Sequence, residues 1–177
     1  MEKSIEKLDK NKLQEMINKF QMENNDLEKE LDRTLELFKQ LEFEQKLENA
    51  IDQLKELQKQ QDELIKRTED KGADQQKLQD EQKKLQDEFN QVKEDIKKLE
   101  ELNNQLQEKQ NLPNTDELQK EIEQQMNNAQ QQLQNKQNGK AKQSQQKANQ
   151  KMQEMQQQLE SAQQSNQSEQ AEENMED

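Results

Sequence analysis

From Leu78 onward the chain keeps a strict beat: Leu78, Gln82, Leu85, Phe89, Val92, Ile96, Leu99, Asn103 and Leu106 follow one another at alternating steps of four and three residues. An α-helix turns once every 3.6 residues, so this alternation lays one continuous stripe along the helix, and another helix has to cover it. Leu78, Leu85, Val92, Leu99 and Leu106 take the d position of a heptad, and Gln82, Phe89, Ile96 and Asn103 take a. Only 25% of the chain is hydrophobic and 38% is charged, too little apolar surface for a thick globular core. The fold class that follows is all-α: long amphipathic helices forming an extended antiparallel coiled-coil hairpin, with weaker C-terminal helices and a disordered acidic tail.

The punctuation residues are few. Gly72, Pro113 and Gly139 divide a sequence otherwise made of helix formers such as Glu, Lys, Gln and Leu. Residues 1–71 read as a first helical arm, with a possible bend near 21–26 where Asn24, Asn25 and Asp26 interrupt the apolar pattern. Its later half carries Leu47, Ala50, Leu54, Leu57 and Leu64, with Gln61 in the remaining seam slot. Ile51, Gln58, Ile65 and Thr68 widen that stripe, enough to face more than one neighbour. Gly72 is suited to the left-handed turn that closes a helix, and Asp74 to capping the next one. Residues 74–110 are then the return helix, and a short connection favours pairing within one chain. Cysteines near Leu57 and Leu85 should cross-link within one chain if it does. Asn103 either pairs across the seam or, more ordinarily, is wetted where the helix frays toward Gln110.

Beyond Pro113, Asn114 and Glu117 have the spacing of a capping box, which starts a third, weaker helix at 114–138 with Leu118, Ile122, Met126, Ala129 and Leu133 on its stripe. After an interruption at Gly139, an Ala/Met/Gln-rich helix spans 140–162, where the small side chains of Ala141 and Ala148 offer little area per turn. Residues 163–177 carry acids without a base and are expected to be disordered.

Chemistry is excluded more firmly than it is suggested. The chain has no Cys and no His, hence no disulfide, no thiolate or imidazole, and none of the usual nitrogen or sulfur ligands for a transition metal. Adjacent carboxylates such as Glu42 with Glu44 and Glu100 with Glu101 read as a solvated face, because a catalytic acid needs a pocket. No catalytic residue, cofactor site or metal site is expected. A net charge of −13, with lysines scattered among acids, disfavours nucleic acid and an anionic lipid surface, and no stretch approaches the roughly 18 apolar residues that direct insertion into a membrane requires. Arg33 and Arg67, the two arginines, are ordinary surface groups unless a carboxylate across the bundle meets them.

One stretch has apolar residues on more than one side. Leu31, Leu35, Leu37, Phe38, Leu41, Phe43 and Leu47 form the candidate interface, either docking a partner or closing a local core with Met16, Ile17 and Phe20. The coiled-coil seam is Leu54, Leu57, Leu64, Leu78, Leu85, Phe89, Val92, Ile96, Leu99 and Leu106. The run from Asp32 to Leu47, the coil from Leu54 to Lys71 and the segment Ser144-Gln145-Gln146-Lys147-Ala148 resemble part of the DUF4175 family, large uncharacterised proteins of Bacteroidota. The resemblance implies a segment of a membrane-anchored protein with long helical, Gln-rich regions outside the membrane, and it supplies no catalytic residue. The expected function is a non-catalytic structural or protein-interaction coiled-coil module, a spacer or scaffold in a membrane-associated assembly that meets a protein partner or a second copy through helix packing. The alternative is a chaperone-like or adaptor module that holds a client on an exposed Leu/Phe stripe.

Overall fold

The computed structural model describes the backbone of residues 2–176 and the side chains of residues 12–169. All regular structure among the described residues is helical: α1 (Glu2–Glu69), α2 (Gln75–Asn103), α3 (Asp116–Gln134) and α4 (Asn138–Glu176). The chain divides into two compact units, Met1–Leu41 and Glu42–Asp177.

The first unit is a single stretch of α1. The helix passes through Asn24, Asn25 and Asp26 without a break. Asn and Asp each give up only about 0.7 kcal/mol of helix propensity relative to Ala, and the Glu, Lys, Leu and Gln on both sides carry the helix across.

The second unit packs residues 42–69 of α1 with α2, α3 and α4. Ion pairs record who neighbours whom: Arg67 with Glu81 joins α1 to α2, Lys93 with Glu123 (2.7 Å) joins α2 to α3, and Lys151 with Glu121 (3.0 Å) joins α3 to α4. The ring closes between α1 and α4 through Lys55 with Glu160 (3.0 Å) and Lys142 with Glu69. With Gln53 on Asp95, Gln86 on Asn127 and Ser144 on Gln132 as second contacts, partners descend along one helix as they ascend along its neighbour, so each adjacent pair is antiparallel and the unit is an up-down-up-down four-helix bundle. α3 and α4, expected as weaker helices, share one core with the helices before them. Ile122, Met126, Leu133, Met152, Met155 and Leu159 are 0–1% exposed, as deep as Leu54 or Leu99. Low apolar area per turn misjudged α4, because Ala141 and Ala148 let neighbouring helices come close and are themselves 0% exposed. The helix also continues through the stretch expected to be disordered from 163, with Asn166 2% exposed; the side chains of 170–177 lie outside the described residues.

The connections correct the sequence reading in detail. Asp74 caps α2 as expected, its carboxylate accepting from the backbone N–H groups of Gln76 (3.0 Å) and Lys77 (3.4 Å). Gly72 does not take the left-handed conformation; its N–H donates to the Asp70 carboxylate (2.9 Å), and Ala73 N–H closes the turn on the Asp70 carbonyl (3.1 Å). α2 stops at Asn103, not at 110. Asn103 is neither frayed nor paired across the seam: its amide donates to the Gln110 carbonyl (2.9 Å) and accepts from the Gln110 N–H (2.9 Å), which folds the connector back on the helix end. Leu106 is 5% exposed but lies beyond the helix, in the turn, so it is buried without being a heptad residue.

α3 begins at Asp116. Asn114 accepts from the N–H of Asp116 (2.9 Å), while Thr115 occupies the cap position and its hydroxyl accepts from the Gln119 amide (2.9 Å). Gln119 is consequently buried, whereas Leu118 on the expected stripe is half-buried. The stop after α3 is made by Lys136 at φ 57°, with Gln137 N–H bonding the Gln132 carbonyl (2.8 Å) and Lys136 N–H the Leu133 carbonyl (3.0 Å), the paired bonds of a Schellman cap. Gly139 sits inside the first turn of α4 and interrupts nothing.

Candidate functional site

The seam residues of the second unit have one fate. Leu54, Leu57, Leu64, Leu78, Leu85, Phe89, Val92, Ile96, Leu99 and Leu106 are all 0–5% exposed, in one continuous apolar core. They hold the bundle together and are not available to an outside partner. Thr68, Gln82, Ser144 and Gln145 are buried with them at one end. There the Gln145 amide donates to Gln82 (3.0 Å), Ser144 to Gln132 (2.8 Å) and Thr68 to the Leu64 carbonyl (2.8 Å). Gln61 is different: it is 0% exposed, and neither end of its carboxamide has a hydrogen-bond partner.

The charged surface of this unit carries a few perturbed groups, each with a local cause. Glu100 is raised above the usual glutamate value by burial, with the charge of Asp116 adding to it. Glu101, its sequence neighbour, is exposed, while Glu100 is half-buried. Burial alone would raise Asp95, but hydrogen bonds from Lys98 (3.0 Å), Gln91 (3.0 Å) and Gln53 (3.4 Å) outweigh it and hold the carboxyl below the usual aspartate value. Glu160 is lowered by hydrogen bonds from Gln156 and Lys55, and Lys55 is raised by the same contact. Arg67 meets Glu81 across the bundle, a role that only the geometry could assign. Among the described residues no group of three or more acids could hold a metal ion, and no helix is long and apolar enough to cross a membrane. A groove of about 270 Å³ between α1 and α2 has Leu57 and Val92 at its base and glutamines and glutamates on its rims.

The candidate interface splits. Phe43 and Leu47 are 0% and 1% exposed in the core of the second unit, and their assignment to a docking surface is corrected accordingly. Leu31, Leu35, Leu37, Phe38 and Leu41 belong to the first unit and are 53–69% exposed. Met16, Ile17 and Phe20 are exposed as well, at 70%, 43% and 66%, so the alternative of a local core shared with this stretch is not met among the described residues. The sequence carries the reason for the split. Counting back from Leu41 by threes and fours reaches Phe38, Thr34 and Leu31, while counting forward from Phe43 reaches Leu47, Ala50 and Leu54. Leu41 and Phe43 are two residues apart, which is neither the four-residue insertion of a stutter nor the three of a stammer. The two stripes are separate seams.

No protein-family model matches the chain, and neither a curated protein nor a solved structure is significantly similar to it.

Proposed function

We propose that this chain is a non-catalytic structural and protein-interaction module, a spacer or scaffold whose second unit is a self-contained bundle and whose first unit offers a docking face. In this reading α1 from Glu42 and α2 act as an antiparallel coiled-coil hairpin, which α3 and α4 complete. The observation that carries the reading is the contrast in apolar burial. Leu13, Met16, Ile17, Phe20, Leu27, Leu31, Leu35, Leu37, Phe38 and Leu41 are 43–70% exposed, while the second unit hides its own large apolar residues. A monomer's largest apolar patch is typically about 300–600 Å², and ten such side chains at roughly 100 Å² of exposed surface each exceed it. The setting at a membrane is what the family resemblance implies. The adaptor reading, in which a client occupies the Leu/Phe stripe transiently, draws on Leu37, Phe38 and Leu41, and loses Phe43.

A photo-cross-linking amino acid in place of Leu31 in the full chain, expressed in its own cell, tests this. The expected result is a discrete protein adduct from position 31 and none from exposed Lys97 on α2. Equal labelling from both positions would remove the docking face.

A further inference from the structure

The exposed face of the first unit fits a second copy of itself. Because α1 is unbroken through Asn24, the heptad can be counted across it. Ile17, Asn24, Leu31 and Phe38 fall at a; Leu13, Phe20, Leu27, Thr34 and Leu41 fall at d. Met16 and Leu37 stand at g and Leu35 at e, flanking the seam, so of the eleven exposed large hydrophobics only Met22 lies off this face. We propose that residues 13–41 pair with the same residues of another copy as a parallel, in-register two-stranded coiled coil. This rests on the docking reading above and names the partner.

Two observations favour a second copy over an unrelated occupant. The face is about four heptads long, and its exposed apolar area of roughly 1,000 Å² per copy exceeds the ~800 Å² per partner of a standard stable interface. The seam has a polar residue at Asn24, which an unlike apolar partner would leave facing hydrocarbon. In a parallel in-register pair it meets its own counterpart. A single Asn at an a position is the device that fixes two strands in parallel alignment, because its amide hydrogen-bonds only to the matching amide. Thr34 already spends its hydroxyl on the Glu30 carbonyl (2.8 Å), which leaves its methyl for the seam. One feature opposes the pairing: Glu23 at g and Glu28 at e of the other copy repel. That makes Glu28 a probe of orientation.

The experiment uses the full chain. At about 50 µM, sedimentation equilibrium should give twice the 21.2 kDa chain mass. The double variant Leu31→Lys/Phe38→Lys, both exposed positions, should give a single chain mass with unchanged bundle helicity. Glu28→Lys puts an ammonium group opposite Glu23 of the other copy in a parallel pair, turning repulsion into attraction, and should tighten association several-fold. Leu13→Cys, the only thiol in that variant, should oxidise to a disulfide-linked dimer. A wild-type chain that stays single at this concentration overturns the proposal. So does a dimer untouched by the Leu31/Phe38 variant, and a dimer that Glu28→Lys leaves unchanged and Leu13→Cys cannot link is not parallel. The photo-adduct at position 31 separates the two levels. An adduct with a different protein from a monomeric chain ends self-pairing and keeps the docking face, and no adduct of either kind ends both.

Discussion

Gln61 shows how much a single side chain can weigh in a bundle this slender. A buried carboxamide without a partner forfeits its hydration, a penalty of about 1–3 kcal/mol, whereas a leucine of similar volume would add apolar contact. Gln61→Leu is expected to raise the unfolding free energy by about 1–3 kcal/mol, read from urea denaturation with the far-ultraviolet spectrum unchanged. A loss of stability would mean that the amide is satisfied in solution. Asp95 belongs to the same scale. Its folded carboxyl titrates below the ordinary value of 3.8 because three hydrogen bonds outweigh its burial. The stabilisation from this depressed pKa is therefore complete above that value and drains away as the pH falls through the folded one. Asp95→Asn should cost more stability at pH 7 than at pH 3, below the ordinary value, which paired urea titrations at the two pH values would show; an equal cost at both would remove the carboxylate from the account.

At the scale of the element, the register between α1 and α2 is set by Gln53 donating to Asp95 (3.4 Å) and by Arg67 meeting Glu81. It brings Leu57 level with Val92, and Leu64 with Leu85. Leu57 and Leu85 are thus offset by about 9 Å along the axis, six or seven residues at 1.5 Å, and cysteines there are poorly placed to bridge. Gln60→Cys with Glu88→Cys, on the two rims of one groove, should form an intramolecular disulfide readily in the intact chain, and the 57/85 pair should not; mass spectrometry of the oxidised digests decides it. The helices themselves were legible. Apolar periodicity from Leu78 to Leu99 and from Leu47 to Leu64 found both the elements and their buried faces. The capping Asp74 marked the start of α2 because its carboxylate has two free N–H groups to serve. What escaped was whatever polar atoms decide. Asn103, Gln119, Gln145 and Asn166 look like surface residues by hydropathy, yet each is bound to a specific backbone or side-chain group inside. The end of α3 escaped for a different reason, since a lysine, not the nearby glycine, holds the left-handed position and accepts the strain. The candidate interface was half legible: its exposed members stand out in the sequence, but the two-residue slip between Leu41 and Phe43 looks there like a widening of one stripe.

For the molecule as a whole, the division at residue 41 is the fact with most reach. The second unit owns a complete core and its own ring of ion pairs, so a chain reduced to residues 42–177 is expected to unfold in one cooperative step. Its midpoint should fall within about 2–4 °C of the full chain's, the shift that 1 kcal/mol produces at this size. Calorimetry of the two side by side would show it, and a collapse of the shortened chain would make the first unit part of the core's support. The chain's acids and bases divide the labour in the same way: cross-helix pairs such as Lys93 with Glu123 lie in the second unit, while the apolar face of the first is left uncovered. The seam break at Leu41 and Phe43 therefore also separates two evolutionary accounts. Mutation can rewrite the free stripe for a new addressee without disturbing a single residue of the interior, and the interior can drift under its own constraints while the address stays the same.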